Sequence, residues 1–161
     1  MDIKMPKSKT LQLLSYIIKN HPDVSVTSLM KLSYLVDLVA IKKGKNKISD
    51  FQYVRYNYGP FDKKMYQYLE QLINESVIRE GANISNTGDE FVTYNIKKEN
   101  DLAFKKISDD EKEIIDEVLG SLEGYGTKAL TELAYKTKPM KKIGATLHNK
   151  AGLNKLLNLY V

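Results

Sequence analysis

The sequence predicts a predominantly helical α+β fold in a single domain. Apolar residues recur at helical spacing in several segments, and short runs of aromatic and branched residues have the alternation of strands. The length of 161 residues is enough to bury one core without disulfides or a structural metal. A helix followed by a small β-sheet or hairpin adds winged-helix-like elements to this prediction.

Two predicted helices open the fold. The first spans residues 8–20, carries one apolar stripe and ends at a His-Pro pair. The second runs from about 26 to 43, where Ser25 or Thr27 can cap the first turn and Gly44 ends the last. Its apolar side chains cover so much of its circumference that we expect this helix to lie at the centre of the fold.

A short strand is predicted over Phe51–Asn57, because aromatic and branched residues alternate there. The Gly59-Pro60 pair is expected to end this strand as a turn. Asp62 then favours the start of a helix whose inward face includes Met65 and Leu69.

A hairpin and a capped helix come next. Strands are predicted at Glu75–Glu80 and Phe91–Ile96, and they are joined by GANISNTGD, whose Gly, Asn and Asp residues suit a long loop. Ser108 and Glu111 have the spacing of a capping box, in which each side chain binds a free backbone amide of the other's residue. The start of this helix is therefore marked by two independent signals.

The C-terminal part is basic. Thr127 can cap a short helix that ends before Pro139, and residues 143–161 are predicted to form a tail that is partly helical after Gly152. From Lys136 onward the chain has six lysines and no acid, so the remainder holds 19 of the 25 basic residues against all 20 acidic ones. The net charge of +5 thus belongs to residues 136–161, and a near-neutral body argues against a broad nucleic-acid-binding surface.

Composition also limits the chemistry. The chain has no cysteine, which excludes disulfides, thiolate metal sites and thiol nucleophiles. No segment reaches the roughly 18 apolar residues of a membrane span, so we expect no membrane association and a cytoplasmic location. His21 and His148 are its two histidines, too few for a histidine-rich metal site. We therefore expect no catalytic residues, no metal and no cofactor, and a protein that is not an enzyme.

Aromatic residues concentrate in YVRYNYGPF, residues 53–61. Strand alternation predicts that Tyr53 and Phe61 belong to the core, whereas Tyr56 and Tyr58 can either pack or lie exposed. Tyrosine is enriched in binding surfaces, since it combines a large contact area with a hydroxyl. This stretch is the candidate binding surface.

Three segments in a fixed order carry a resemblance to a known family: LMKLSYLVDLVAIKKGK, FQYVRYNYGPFDKKMYQYLEQL and DDEKEIIDEVLGSLEGYGTKALTELAYKTKPMKK. Over residues 8–142 the chain resembles the Panacea domain, the SocA-like antitoxin family of bacteria and their phages. The positions that match the family pattern are Lys31, Leu32, Tyr34, Tyr58, Gly59, Pro60, Tyr66, Asp110, Tyr125, Gly126, Leu130, Leu133 and Pro139.

Three positions depart from the family pattern. The family usually has a tryptophan in the strand before the Gly-Pro pair, a histidine near the end of the last helix and a tryptophan after the closing proline. Here those places hold Val54 or its neighbours, Tyr135 and Met140, and the chain has no tryptophan. The sequence is therefore identified as a divergent member.

The resemblance implies a non-enzymatic antitoxin that neutralises a cognate toxin by direct binding, and in some members also hands the toxin to a host protease. The alternative is a winged-helix-like DNA-binding regulator of a phage or mobile element, with residues 61–74 as reading helix and 77–96 as wing. For the antitoxin, the predicted partner-binding residues are Tyr56, Tyr58, Gly59, Pro60, Phe61 and Tyr66.

Overall fold

The structure is a computed structural model that describes residues 6–97 and 102–161. Most of its regular secondary structure is helical. Within these residues six helices and two small antiparallel sheets form, which confirms the predicted mostly helical α+β class. The elements are α1 (Lys9–Asn20), β1 (Val24–Ser25), α2 (Val26–Lys42), β2 (Val54–Tyr56), β3 (Gly59–Phe61), α3 (Lys64–Asn74), β4 (Ile78–Ile84), β5 (Glu90–Ile96), α4 (Asp109–Ser121), α5 (Thr127–Tyr135) and α6 (Lys138–Lys142).

Helix α2 is the centre of the fold, as its broad apolar surface predicts. It contacts α1, α4 and α5, and all of its residues from Ser28 to Asp37 are buried. Ser25 is its cap, since the Ser25 hydroxyl accepts a 3.2 Å hydrogen bond from the Ser28 N–H. Gly44, at φ 81°, follows its last turn. Both helix-end predictions are confirmed.

The larger sheet has the strand order β1-β5-β4, so the first strand pairs with the last. Together with α1, α2 and α3 it reproduces the chain order of a winged helix, in which the β4–β5 hairpin is the wing. The second sheet, β2–β3, is inserted between α2 and α3. Five of the six predicted binding residues lie on this insertion, and the sixth, Tyr66, lies on α3.

The wing strands are longer than the sequence predicts. Pairing runs from Ile78 opposite Ile96 to Ile84 opposite Glu90, so the first four residues of the predicted loop, GANI, belong to β4. The turn itself is confined to residues 85–89. Glycine and asparagine have weak strand propensity, but pairing with β5 supplies their backbone groups with partners.

The capping box at the start of α4 is confirmed. The Ser108 hydroxyl accepts from the Glu111 N–H at 3.1 Å, and the Glu111 carboxylate accepts from the Ser108 N–H at 2.9 Å. Helix α5 does begin at Thr127, but the residue at the cap position is Gly126, without a side-chain bond. The capping role predicted for Thr127 is therefore wrong.

Residues 143–161 contain turns and one isolated bridge, and no helix among them, so the predicted partly helical tail is wrong. The tail instead lies along β2. The Asn154 N–H donates to the Arg55 carbonyl at 2.7 Å, and the Arg55 N–H donates to the Lys155 carbonyl at 2.9 Å. Backbone groups that a helix would pair internally are used to extend the small sheet. The predicted domain limits of 8–142 stay a prediction.

Candidate protein-binding site

Strands β2 and β3 form the hairpin that carries the predicted binding residues. Tyr56 pairs with Gly59 and Arg55 with Pro60, so the chain reverses at Asn57-Tyr58. The prediction that Gly59-Pro60 is the turn is wrong, because both residues lie in β3. Proline fits this position since Arg55, opposite it, directs its N–H and C=O to the tail, which makes the pair a non-hydrogen-bonded one.

Aromatic rings gather on this hairpin and on the first turns of α3. The rings of Tyr56 and Phe61 are stacked with centroids 5.3 Å apart, and Phe61 lies 5.8 Å from Tyr66. The exposed fractions of Tyr56, Tyr58 and Tyr66 are 45%, 74% and 54%. Of the two alternatives that the sequence left open for Tyr56 and Tyr58, the structure shows exposure. We call Tyr56, Tyr58, Phe61 and Tyr66 the ring cluster.

Tyr53 and Phe61, the two aromatic residues predicted to lie in the core, differ in burial. Tyr53 is buried, and its hydroxyl bonds to Asp37, which confirms the prediction. Phe61 is only half-buried, because it packs against the core on one side and between two exposed tyrosines on the other. The prediction of Phe61 as a full core residue is wrong. Its place in the middle of the ring cluster makes it the support of that surface.

Gly59 and Pro60 are buried, and they position the ring cluster. Gly59 has φ 118°, a region that L side chains rarely adopt. A Cβ placed there would lie 3.7 Å from Lys31 Cε and 3.8 Å from the Tyr135 ring, so the hairpin packs closely on α2 and α5. The Tyr135 hydroxyl also donates to the Asn57 carbonyl at 3.3 Å. The exposed turn therefore has a rigid base.

Asp62 fixes the end of the hairpin relative to α3. Its buried carboxylate accepts hydrogen bonds from the Gln52 N–H at 2.8 Å and the Lys64 N–H at 2.9 Å. The Asp62 N–H in turn contacts the Met30 sulfur at 3.4 Å. The sequence predicts that Asp62 favours the helix start, and the structure adds that one carboxylate joins the segment before β2 to the first turn of α3.

A cleft of about 150 Å³ lies beside the ring cluster, between the hairpin and the first turns of α2. Its walls include the ring cluster, Met30 and Lys31. Lys31 is 3% exposed, and burial lowers the pKa of its ammonium to about 8. The sequence marked Lys31 only as part of a family motif. Its burial depends on the hairpin packing over α2, and no local pattern predicts that contact.

Arg55 lies behind the hairpin and is fully buried. Its guanidinium donates to the backbone carbonyls of Tyr56, Thr146 and Asn149 at 2.7, 3.0 and 2.7 Å. It also lies 5.3 Å from the centroid of the Tyr135 ring. Burial raises the pKa of the Tyr135 hydroxyl, while the nearby Arg55 charge opposes that rise. One of the chain's two arginines is thus used to hold the tail.

Neither a metal site nor a membrane-spanning helix is found among the described residues. In the part of the chain that the structure describes, no three His, Asp or Glu side chains lie together as a possible metal site. Across residues 6–97 and 102–161, no helix is both long and apolar enough to cross a bilayer.

The fold and the site define a small winged-helix-like domain with an inserted hairpin that exposes an aromatic surface. The family described as "Antitoxin SocA-like, Panacea domain" matches residues 29–139, more than half of the chain, and the protein belongs to this family. The resemblance found in the sequence is thereby confirmed. The matched range contains the ring cluster and Lys31, whereas the tail lies beyond it. No curated protein and no solved structure matches the chain.

Proposed function

We propose that this protein is an antitoxin that neutralises a cognate toxin by direct binding, with the ring cluster as the contact surface. The observation that carries the proposal is the exposure of Tyr56, Tyr58 and Tyr66 around Phe61, on a hairpin whose base is buried. Membership of an antitoxin family supports a toxin as the partner. Large exposed rings on a fixed backbone are the composition expected of an interface centre.

The physical basis is preorganisation. Because Gly59, Pro60 and Asp62 are already fixed against the core, binding does not have to order the hairpin backbone, and less of the contact energy is lost to conformational entropy. A complex that covers the active surface of a toxin lowers the free toxin by mass action when the dissociation constant is below the working concentration. Inhibition of this kind needs neither turnover nor a cofactor, so we propose a cytoplasmic binding protein rather than an enzyme. Delivery of the toxin to a host protease stays a prediction, since a stoichiometric complex suffices.

The test compares two exposed tyrosines, one beside the N-terminal half of α2 and one beside its C-terminal half. Tyr58→Ala should weaken binding to the protein encoded by the neighbouring gene about tenfold or more, and with it the rescue of cells from growth arrest, while the melting temperature is unchanged. Tyr160→Ala is the control, because Tyr160 is 67% exposed and lies by the C-terminal half of α2. Full protection by a folded Tyr58→Ala protein would reject the turn as a contact.

One observation favours the alternative of a DNA-binding regulator: the chain order and the β1-β5-β4 sheet are those of a winged helix. The charges oppose it. The exposed wing carries Arg79 against Glu80, Asp89 and Glu90, and Arg55 is buried. Duplex affinity that falls steeply as salt is added would favour the regulator, whereas stoichiometric binding to a protein would favour the antitoxin.

A further inference from the structure

The ammonium group of Lys31 lacks a protein partner among the residues that the structure describes. Within residues 6–97 and 102–161 the structure gives its Nζ no hydrogen bond and no ion pair, although the residue is only 3% exposed. The other buried charges are treated differently. Asp37 accepts bonds from Ile48, Ser49 and Tyr53, and the two terminal nitrogens of Arg55 donate to three carbonyls, although its Nε is buried without a partner.

Burying most of the Lys31 side chain with no partner for its ammonium opposes folding, even though the Nζ is not itself among the fully buried atoms. Buried charged groups are normally paired, because the loss of hydration is not otherwise compensated. The pKa of Lys31, about 8, is still above neutral pH, so most molecules carry the charge under physiological conditions. A methionine of similar length would fill the same space without that cost. The folded monomer therefore gains nothing from the positive charge of Lys31.

The surroundings of Lys31 indicate where its charge is used. The side chain ends beside Gly59, in the wall of the cleft that the ring cluster lines. No Asp or Glu is among the described residues that line this cleft. Tyr135 is the other neighbour of Gly59, and the guanidinium of Arg55 lies over its ring. Arg55 therefore adds a second positive charge behind the wall of the cleft. The cleft thus combines aromatic walls with a positive charge that no acid neutralises.

The size of the cleft limits its occupant. Its volume is about 150 Å³. Sites for small-molecule ligands usually have about 300–1,000 Å³, so a nucleotide or a cofactor is too large. One protein side chain fits this space. Because the ring cluster lines the cleft, the cleft is continuous with the proposed toxin-binding surface.

We propose that Lys31 is the receptor for a side-chain carboxylate, from an Asp or Glu of the toxin, that enters this cleft when the ring cluster binds. The inference rests on the proposed function and adds the chemistry of the anchoring contact. An ion pair closed off between aromatic rings is stronger than one in water, because the surrounding dielectric is lower. The carboxylate also restores the partner that Lys31 lacks in the free protein, so the cost carried by the monomer is recovered only in the complex.

The first experiment measures binding of the protein encoded by the neighbouring gene to three forms of this chain. Lys31→Met should weaken binding about 30-fold or more, because it leaves the partner's carboxylate buried and unpaired. Its thermal unfolding should show a melting temperature no lower than that of the wild type. Lys42→Met is the matched control, since Lys42 is an exposed lysine on the same helix, and its affinity should be unchanged.

The second experiment identifies the occupant by a double-mutant cycle. Each surface Asp or Glu of the toxin is changed to Asn or Gln, and one of these changes should weaken binding to the wild type strongly but have little further effect on Lys31→Met. Equal binding by wild type and Lys31→Met would overturn this inference and leave the proposed function intact. Loss of binding in Lys31→Met that no toxin acid reproduces would overturn the carboxylate as occupant. Failure of the wild type itself to bind would overturn the proposed function, and the inference with it.

Discussion

The Tyr53 hydroxyl donates a 2.7 Å hydrogen bond to a carboxylate oxygen of Asp37 inside the core. The same carboxylate accepts bonds from the backbone N–H groups of Ile48 and Ser49 at 2.8 and 3.1 Å. Burial raises the pKa of the Asp37 carboxyl, and these donors oppose the rise. One acid on α2 therefore holds both the loop after that helix and the residue that leads into β2.

Removing this bond should destabilise the fold. Tyr53→Phe deletes a donor to a buried carboxylate, and we expect a loss of about 2 kcal/mol in the free energy of unfolding, measured by urea denaturation. Tyr68→Phe is the control, because the Tyr68 hydroxyl donates to the carboxylate of Asp50 at the surface. That variant should lose less than about 1 kcal/mol. Equal losses in the two variants would contradict the role given to Asp37.

Replacing the buried Arg55 by lysine should destabilise the protein. A single ammonium group cannot repeat the geometry of a fork that reaches the carbonyls of Tyr56, Thr146 and Asn149, so Arg55→Lys should destabilise the protein by about 3 kcal/mol. Limited proteolysis should then cut the tail faster. Arg79→Lys changes the exposed arginine of β4 and should leave both measurements unchanged. An intact tail in Arg55→Lys would argue against its anchoring role.

Gly59 is expected to tolerate no side chain, for reasons of backbone conformation. The neighbouring atoms lie at ordinary contact distance, so the cost of Gly59→Ala comes from φ 118° and should be about 1–3 kcal/mol of unfolding free energy. Gly120→Ala, within α4 and facing open space, should instead stabilise the protein by about 0.5–1 kcal/mol. Chemical denaturation distinguishes the two, and a neutral Gly59→Ala would show that the hairpin can relax.

The stability of the wild type relative to Lys31→Met should depend on pH. Below pH 8 both folded and unfolded wild-type chains carry the Lys31 proton, and the full cost of burying the charge is present. Between pH 8 and the ordinary lysine value of 10.5, the folded state releases this proton first, so the wild type gains up to about 3 kcal/mol. The variant's advantage should therefore shrink over this range, as followed by urea unfolding of both proteins in parallel. A difference that is constant with pH would contradict the burial of a charged Lys31.

The features that the sequence predicts well are those that depend on near neighbours. Ser108 and Glu111 lie three residues apart and satisfy each other's backbone, so their helix start is correct to the residue. Gly44 likewise ends α2 where its conformation is needed. Such signals need no knowledge of the rest of the fold.

The two largest errors involve partners distant in the chain. The sequence predicts a turn at Gly59-Pro60 because Gly-Pro is a common turn signal. The structure places the pair in β3, where Gly59 packs on Lys31 and Tyr135, which are remote in sequence. The sequence predicts a partly helical tail because the bonding of the tail to Arg55 has no local signature. Exposure of Tyr56 and Tyr58 was correctly left open, since strand alternation alone does not determine which face of an isolated hairpin is covered.

The contact between the tail and β2 can form only late in synthesis, because the tail is made after the hairpin. Residues 53–66 leave the ribosome long before residues 146–157, which supply the third line of backbone bonds and the carbonyls for Arg55. Because chains emerge from the N-terminus, we expect a nascent chain to display its tyrosines on an incompletely supported hairpin. On the proposed function, full binding capacity is then acquired only after residues 146–157 have been made, which delays neutralisation by the time needed to translate the chain between the hairpin and the tail.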